Sequence, residues 1–280
     1  MNWQTLEVAI SGQTATVTLS RPDVSNAFNE AAVKELEDGF RALAKRSDIR
    51  VILLAAVGKS FSAGADLSWM KRMADLSAEE NFTDAYRLAT MLRTIYTCPQ
   101  PVIARVQGDA YGGGVGLIAA ADIVVAADNA CFSLSEVKLG LIPATISPYV
   151  IRAIGVRAAR RYFVTAERFD AAEAYRIGLV HKIASPDALD GAVESVVAAI
   201  LQNGPGAVIK SKQLVQDLDG QLLSDELLAD TARRIAQIRG SEEAREGVRA
   251  FLEKRLPAWA ANASPRRSGR SYTQRNSNRR

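Results

Sequence analysis

Hydrophobic and polar positions alternate at the start of the chain and then change to a helical spacing. Residues 6–10 and 14–19 alternate as two short strands with Ser11-Gly12-Gln13 between them, which predicts a hairpin. From Asn29, a plausible helix cap, apolar residues recur every three or four positions. The continuous apolar run over 51–55 is typical of a parallel strand that is buried on both faces.

The same order of helix and strand recurs further along the chain. Ser77 to Glu80 form a capping box that opens a predicted helix to about Tyr96, and a strand over 101–106 follows. After three consecutive glycines, a short apolar helix leads into a strand over 122–126. This alternation predicts an α/β core.

Beyond about residue 143 the pattern is helical. Helices are predicted over 153–165, 171–177, 186–202, 206–218, 224–239 and 241–254. One sheet of modest width cannot cover so many consecutive helices, so we expect a helical layer of their own or burial against another subunit.

The composition is typical of a soluble globular protein and limits the chemistry. Of 280 residues, 48% are hydrophobic and 24% are charged, and no apolar run reaches the roughly 18 residues of a membrane span. The start of the chain lacks a signal pattern, so we expect a cytoplasmic protein. The two cysteines, Cys98 and Cys131, form no close pair, and the one histidine, His181, lies in a strand-like run. We therefore expect no metal site and a structural role for His181.

The net charge of +4 comes from the end of the chain. Residues 264–280 carry six arginines and no acid, so the rest of the chain carries −2. This segment shows no apolar periodicity and is predicted to be a disordered basic tail. RNA contact through the tail stays an alternative, but we do not expect nucleic acid to be the partner of the folded part.

Three local features could carry chemistry. The loop 61–67 and the glycine-rich segment 108–116 each follow a predicted strand and open a helix, where free backbone amides can face an anion. The glycine run lacks the spacing of dinucleotide and phosphate loops, and on its own it also fits tight packing of a helix on a sheet. In the third segment, 132–143, Glu136 is an acid among mostly apolar neighbours and could exchange protons near neutrality, although a solvated turn residue is the alternative.

Together these segments resemble the enoyl-CoA hydratase/isomerase (crotonase) superfamily. The match joins Phe61 to Leu67, Ala104 to Gly108 with Tyr111-Gly112-Gly113-Gly114, and Ser135 to Leu141, in the family's order and spacing, and it runs from about Thr5 to Trp259. The resemblance implies a crotonase-like spiral of strand-strand-helix turns over 1–195. It also implies a helical region over 196–263 that forms a homotrimer or a dimer of trimers.

The resemblance also implies the site residues. The backbone amides of Ala63 and Gly113 would form an oxyanion hole for the carbonyl of an acyl-CoA thioester. Such a hole stabilises the enolate formed when the α-carbon gains or loses a proton. Ala63, Gly64, Ala65, Asp66 and Leu67 would line the path of the CoA moiety, which enters as part of the substrate, so no separate cofactor is expected.

One position departs from the family pattern. Hydratases with two acid/base glutamates carry one of them two residues after the triple glycine, where this chain has Gly116. Only Glu136 is left to move protons, which is the arrangement of the family's isomerases. We expect a hydratase acting through Glu136, with a single-glutamate enoyl-CoA isomerase as the alternative, and an RNA-associated protein that keeps the fold as a third.

The segments 65–70 and 142–150 are similar to bacterial 3-methylglutaconyl-CoA hydratases and their isoprenoid-pathway relatives. This likeness implies conversion of 3-methylglutaconyl-CoA to 3-hydroxy-3-methylglutaryl-CoA in leucine breakdown, or hydration of a related isoprenoid glutaconyl-CoA. Such a substrate has a carboxylate of its own. Lys71, Arg72 and Arg87 are candidates to bind it, although each also fits a solvated helix charge.

Overall fold

The computed structural model describes residues 3–73 and 75–261, so the predicted tail over 264–280 lies outside the described residues. Its strands are β1 (Leu6–Ser11), β2 (Thr14–Leu19), β3 (Val51–Ala56), β4 (Val102–Val106), β5 (Ala110–Tyr111), β6 (Ile123–Ala127), β7 (Cys131–Ser133), β8 (Phe169–Asp170) and β9 (Lys182–Ala184). Its α-helices are α1 (Glu30–Ala44), α2 (Leu67–Met73), α3 (Ala78–Tyr96), α4 (Gly113–Ala120), α5 (Ser147–Thr165), α6 (Ala171–Arg176), α7 (Leu189–Leu201), α8 (Pro205–Leu218), α9 (Asp225–Arg239), α10 (Glu242–Leu252) and α11 (Ala258–Ala261). Short 3-10 helices cover Pro22–Val24, Glu136–Leu139 and Pro186–Ala188.

The strands form one large sheet and one small sheet. The large sheet has the order β1-β2-β3-β4-β6-β9, in which β1 is antiparallel to β2 and the others pair in parallel. The small sheet has the order β5-β7-β8. The predicted hairpin and the predicted α/β order are confirmed, because helices connect the parallel strands as such crossovers require.

The core lies on both faces of the large sheet. Along β3, Ile52 and Leu54 pack into the main core with α1 and α3, whereas Val51 and Leu53 face α7 on the other side. Since successive side chains of a strand point to opposite faces, a strand covered on both sides must be apolar throughout. This explains the unbroken apolar run.

The helix starts predicted from capping residues are also confirmed. The Asn29 side chain accepts a hydrogen bond from the Ala32 amide at 2.9 Å. Ser77 and Glu80 make both hydrogen bonds of a capping box. The two-residue strands β5 and β8 and the three-residue strand β7 were not predicted, because pieces that short carry no periodic signal.

The predicted boundary at residue 195 falls inside α7. This helix packs on β3, β4, β6 and β9, so it belongs to the sheet core over its whole length. Helices α8, α9 and α10 differ, since Ala250 is the one buried residue that they contribute among the described residues.

Within the described residues, no single helix is long and apolar enough to cross a membrane. One pair of helices, Pro186–Leu201 and Pro205–Leu218, meets the criteria of length and composition when taken together, but the two helices are bent by 105° relative to each other.

His181 joins the edge strand β9 to the sheet. Its amide donates to the Val124 carbonyl at 2.9 Å, and the Val124 amide donates to its Nδ1 at 3.1 Å. An Nδ1 that accepts must be unprotonated, and partial burial of the ring lowers the pKa of His181 from its ordinary value of 6.5. The expected structural role fits this geometry.

We expect the free energy of unfolding to fall as the pH drops below about 6.5, because the unfolded chain then binds the proton that the folded ring resists. In His181→Asn, whose amide oxygen can accept from Val124 without titrating, this contribution should be missing. Urea unfolding of both proteins between pH 5 and 8 measures the difference. Identical pH profiles would exclude the assigned role.

Candidate active site

The site lies where β3 and β4 end, at the carboxyl edge of the sheet. The loop that follows β3 runs beside the segment that follows β4, and the amides of Phe61 and Ser62 donate to the Asp109 carbonyl. Isolated bridges pair Phe28 with Ala65 and Ser62 with Ala110. Crevices outside the carboxyl ends of parallel strands are the usual ligand sites of α/β sheets.

The structure contradicts the prediction that Ala63 provides an oxyanion-hole amide. Its N–H donates to the carbonyl oxygen of Ser25 at 2.9 Å, so this amide is already used within the protein. The pairing of the loop with residues 25–28 decides which amides point inward. That pairing cannot be read from the loop's own sequence.

The Ala65 amide, unlike that of Ala63, is free to bind a ligand. It donates to no acceptor within residues 3–73 and 75–261. The carbonyl of the same peptide unit, that of Gly64, accepts from the Phe28 amide at 2.6 Å. Because N–H and C=O point in opposite directions in a trans peptide, this bond turns the Ala65 N–H away from Phe28. The structure thus replaces Ala63 by Ala65 as the candidate donor.

The second candidate donor, Gly113, is the first residue of α4. Its amide also lacks an acceptor within the described part of the chain, whereas the preceding Gly112 amide donates to the Ser133 carbonyl at 2.9 Å. Orphan amides and the positive end of the helix dipole coincide at this position. The two candidate donors are neighbours, since a Cβ atom on Gly64 would lie 3.3 Å from the Gly113 nitrogen.

Two glycines are needed to bring these segments together. Gly64 has a φ of +84°, and a Cβ there would lie 2.8 Å from the Tyr111 carbonyl oxygen. Gly112 has a φ of +49°, and its Cβ would lie 3.1 Å from Oε1 of Glu136. Both the left-handed backbone and the close approach exclude larger residues.

Glu136 opens a 3-10 helix directly beside the glycine turn. Its Oε2 is buried and has no hydrogen-bond partner among the described residues. Burial raises the pKa of Glu136 above its ordinary value of 4.5, since loss of water disfavours the charged form. A carboxyl with a raised pKa and a free oxygen next to two unpaired amides is equipped to carry a proton to and from a ligand held there.

No second acid fits beside it at position 116. A Cβ on Gly116 would lie 2.2 Å from Cγ2 and 2.8 Å from Cβ of the buried Ile146. The space that a longer side chain would need is therefore filled by isoleucine. The sequence showed that the second glutamate is missing, but the partner that occupies its place comes from a segment 30 residues away.

We expect Gly116→Ala to lower the free energy of unfolding by about 1–3 kcal/mol, because the added methyl group overpacks this contact. Ile146→Ala removes the closest atom, so the same glycine change should cost clearly less in that background. Urea unfolding of the two single variants and the double variant measures both costs. Equal costs in the two backgrounds would refute the contact.

The residues predicted to line the CoA path alternate in exposure. Ala63, Ala65 and Leu67 are exposed, whereas Gly64 and Asp66 are buried. The Asp66 carboxylate accepts from the Ser68 hydroxyl at 2.6 Å, from Arg21 at 2.8 Å and from the Ser68 amide at 2.8 Å, and these hydrogen bonds lower its pKa to about 2. Its charge is thus used inside the protein, and the contact surface of this segment consists of the three exposed residues.

The candidate cations differ in their availability. Arg72 makes a two-pronged ion pair with Glu30, with Nη2 to Oε2 at 2.7 Å, while Lys71 is exposed. Arg87 lines a groove of about 530 Å³ between α1, α2 and α3, together with Trp69 and Asp84. In the described residues, no group of His, Cys, Asp and Glu side chains is placed to hold a metal ion.

Comparisons with known proteins identify the family. Residues 9–262 match the model of the family described as enoyl-CoA hydratase/isomerase. A solved enoyl-CoA hydratase from Shewanella pealeana shares 44% identity, with a TM-score of 0.89 over 92% of this chain and 96% of that one. A solved enoyl-CoA hydratase from Mycobacterium smegmatis shares 35% identity, with a TM-score of 0.87 over 91% of this chain and 99% of that one.

A curated relative, the short-chain-enoyl-CoA hydratase of Clostridium acetobutylicum, is 33% identical over 246 residues, which cover 87% of this chain and 93% of the relative. These matches extend over nearly the whole described chain and include every segment of the site. The chain has the crotonase fold and belongs to the enoyl-CoA hydratase/isomerase family.

Proposed function

We propose that this protein adds water across the conjugated double bond of an enoyl-CoA thioester. The observation that carries the proposal is the convergence of two unpaired amides, at Ala65 and Gly113, on a carboxyl group, Glu136, that is partly withdrawn from water. The three groups come from separate loops at one sheet edge. If these groups were only structural, we would expect the two amides and the Glu136 Oε2 atom to have hydrogen-bond partners within the described residues, and they have none.

The amides act on the thioester carbonyl. When oxygen attacks the β-carbon, the double-bond electrons move toward the carbonyl and an enolate oxygen develops negative charge. Two N–H donors fixed at that oxygen, one of them at a helix start, stabilise this charge by on the order of 3 kcal/mol each.

Glu136 supplies the proton transfers. In its ionised form it takes a proton from the attacking water while the oxygen bonds to the β-carbon. The resulting carboxylic acid then returns that proton to the α-carbon, which collapses the enolate to the thioester. Both transfers use the same carboxyl group, so oxygen and hydrogen add to the same face of the double bond. The raised pKa keeps the acid form accessible for the second step.

The finer substrate assignment rests on the sequence likeness around Trp69 and Tyr149. We propose 3-methylglutaconyl-CoA or a related isoprenoid glutaconyl-CoA, with the CoA moiety along the exposed residues Ala63, Ala65 and Leu67. Lys71 and Arg87 remain the candidates for the second carboxylate, because Arg72 is engaged by Glu30.

We also propose that the C-terminal helices mediate self-association into a trimer or a dimer of trimers. This proposal is supported by the large apolar side chains that α8 to α10 and their flanking turns expose: Val215, Leu222, Leu223, Leu228, Ile235, Val248, Phe251, Leu252 and Leu256. Large apolar side chains exposed in such number on one helical region are typical of an interface.

The substrate proposal is tested by following the absorbance of 3-methylglutaconyl-CoA and crotonyl-CoA in parallel. Loss of the conjugated chromophore with a higher kcat/KM for the branched dicarboxylic ester would support it. A preference for crotonyl-CoA would leave a hydratase of different selectivity. Conversion of a 3-enoyl-CoA to its conjugated isomer, with no hydration of either ester, would replace the proposal by the isomerase, which Gly116 favours.

A further inference from the structure

Arg21 is connected to the candidate donor Ala65 through two peptide units. Its Nη1 donates to the carbonyl oxygen of Ala27 at 2.5 Å. The N–H of that same peptide unit belongs to Phe28, and it donates to the carbonyl oxygen of Gly64 at 2.6 Å. The N–H of the Gly64 peptide unit is that of Ala65, which is free to meet a ligand. The chain of hydrogen bonds thus runs from the Arg21 guanidinium through the Ala27 and Gly64 peptide units to the free N–H of Ala65.

The direction of donation is the same at every step. A cation that pulls on a carbonyl oxygen makes the N–H of that peptide a stronger donor, because the amide group is conjugated. Hydrogen bonds in such a chain polarise one another, by about 10–30% per bond in condensed phase. The effect is larger where water is displaced, and the Arg21 side chain is 22% exposed while that of Asp66 is 8% exposed.

We propose that Arg21 is a positioning residue of the active site, which orients and polarises the Ala65 amide through the Ala27 and Gly64 carbonyls. The inference rests on the proposed function, because it gives the Ala65 amide the task of stabilising the enolate. It goes further, since Arg21 lies outside the residues that touch the ligand and acts through the backbone.

Asp66 completes the arrangement on the other side of Ala65. Its carboxylate accepts from Arg21 Nη2 at 2.8 Å, and its amide donates to the Phe28 carbonyl at 2.8 Å. The guanidinium thus spans both chains of the Phe28 to Ala65 bridge. Binding the Ala27 carbonyl and the Asp66 carboxylate at once requires the two-donor fork of a guanidinium, and a lysine ammonium has no such planar geometry.

The experiment measures the carbonyl stretching band of bound butyryl-CoA, labelled at the thioester carbonyl carbon, together with kcat and KM on the enoyl ester that the wild type hydrates. Butyryl-CoA has no double bond to hydrate, so it reports carbonyl polarisation alone. The variants are Arg21→Gln and Asp66→Asn. The matched control is Arg46→Gln, which breaks an arginine to aspartate pair with Asp48 at the opposite end of the sheet.

For Arg21→Gln we expect the carbonyl band to move back toward that of the free ester and kcat to fall by about two- to fivefold, with little change in KM. Arg46→Gln should match the wild type in both. Asp66→Asn removes the counterion of Arg21 but leaves the guanidinium hydrogen-bonded to the Ala27 carbonyl, so the band shift should persist in this variant. This expectation can be tested even if Arg21→Gln does not fold.

The inference is overturned if folded Arg21→Gln keeps the wild-type band and kcat, or if Asp66→Asn loses the band shift. A different result separates it from the proposed function. If wild-type protein binds the ester and shows no band shift at all, the oxyanion hole itself is refuted.

Discussion

Replacing Glu136 by Gln lowers kcat by about 10³-fold in the proposed account, because the amide neither takes a proton from water nor returns one to carbon. Binding of the CoA ester should stay nearly unchanged, since Gln has the same shape and the contacts along the CoA path come from other residues. Steady-state kinetics together with direct measurement of ester affinity separate the two effects. A loss of less than about tenfold in kcat would contradict the assignment of Glu136.

Stability provides the control for this variant. Because the pKa of Glu136 is raised in the folded protein, ionisation of the carboxyl opposes folding as the pH rises through that pKa. Glu136→Gln has no such charge and should be at least as stable as the wild type at pH 7. For the wild type, kcat/KM for hydration should fall as the pH drops through a pKa above 4.5, since only the carboxylate can accept the proton of water.

The second large effect is expected at Ala65. Ala65→Pro deletes the unpaired N–H, and loss of one oxyanion donor costs about 10²–10³ in kcat. Ala65→Gly keeps the N–H and should stay within a fewfold of the wild type. Kinetics on the same enoyl ester, with thermal unfolding to verify that both variants fold, measure the difference.

A comparison with Ala63 makes this prediction specific. The Ala63 amide is bound to the Ser25 carbonyl, so Ala63→Pro should lower stability through a broken hydrogen bond. Ala65→Pro breaks no hydrogen bond of the described structure. If Ala65→Pro retained full kcat and Ala63→Pro lost it in a folded protein, the original assignment to Ala63 would stand.

Local signals in the sequence predicted most of the fold. The Asn29 cap, the Ser77 capping box and the run over 51–55 each act within a few residues, so their consequences can be read directly from the chain. The family resemblance named Gly113 and Glu136 as site residues, and the structure places Glu136 beside the glycine turn that precedes α4. The resemblance also identified Gly116 as the point of departure.

The parts that could not be predicted depend on contacts between distant segments. Which amide of the loop faces the site follows from its pairing with residues 25–28. The side chain that fills the space beside Gly116 is that of Ile146, and the ion-pair partner of Asp66 is Arg21. In each case the deciding partner lies 30 or more residues away and carries no signal in the local pattern. The domain boundary predicted at residue 195 falls inside α7, and only the packing of this helix shows that it belongs to the sheet core.

The most direct test of the central claim uses the wild-type protein in water labelled with heavy oxygen. The purified protein is incubated with a conjugated enoyl-CoA, and the product is analysed by mass spectrometry together with the absorbance of the thioester. We expect loss of the conjugated absorbance, a gain of one water in mass, and label on the β-carbon oxygen, and we expect Glu136→Gln to abolish all three. Absence of any water adduct, with a 3-enoyl-CoA converted to its conjugated isomer instead, would contradict it.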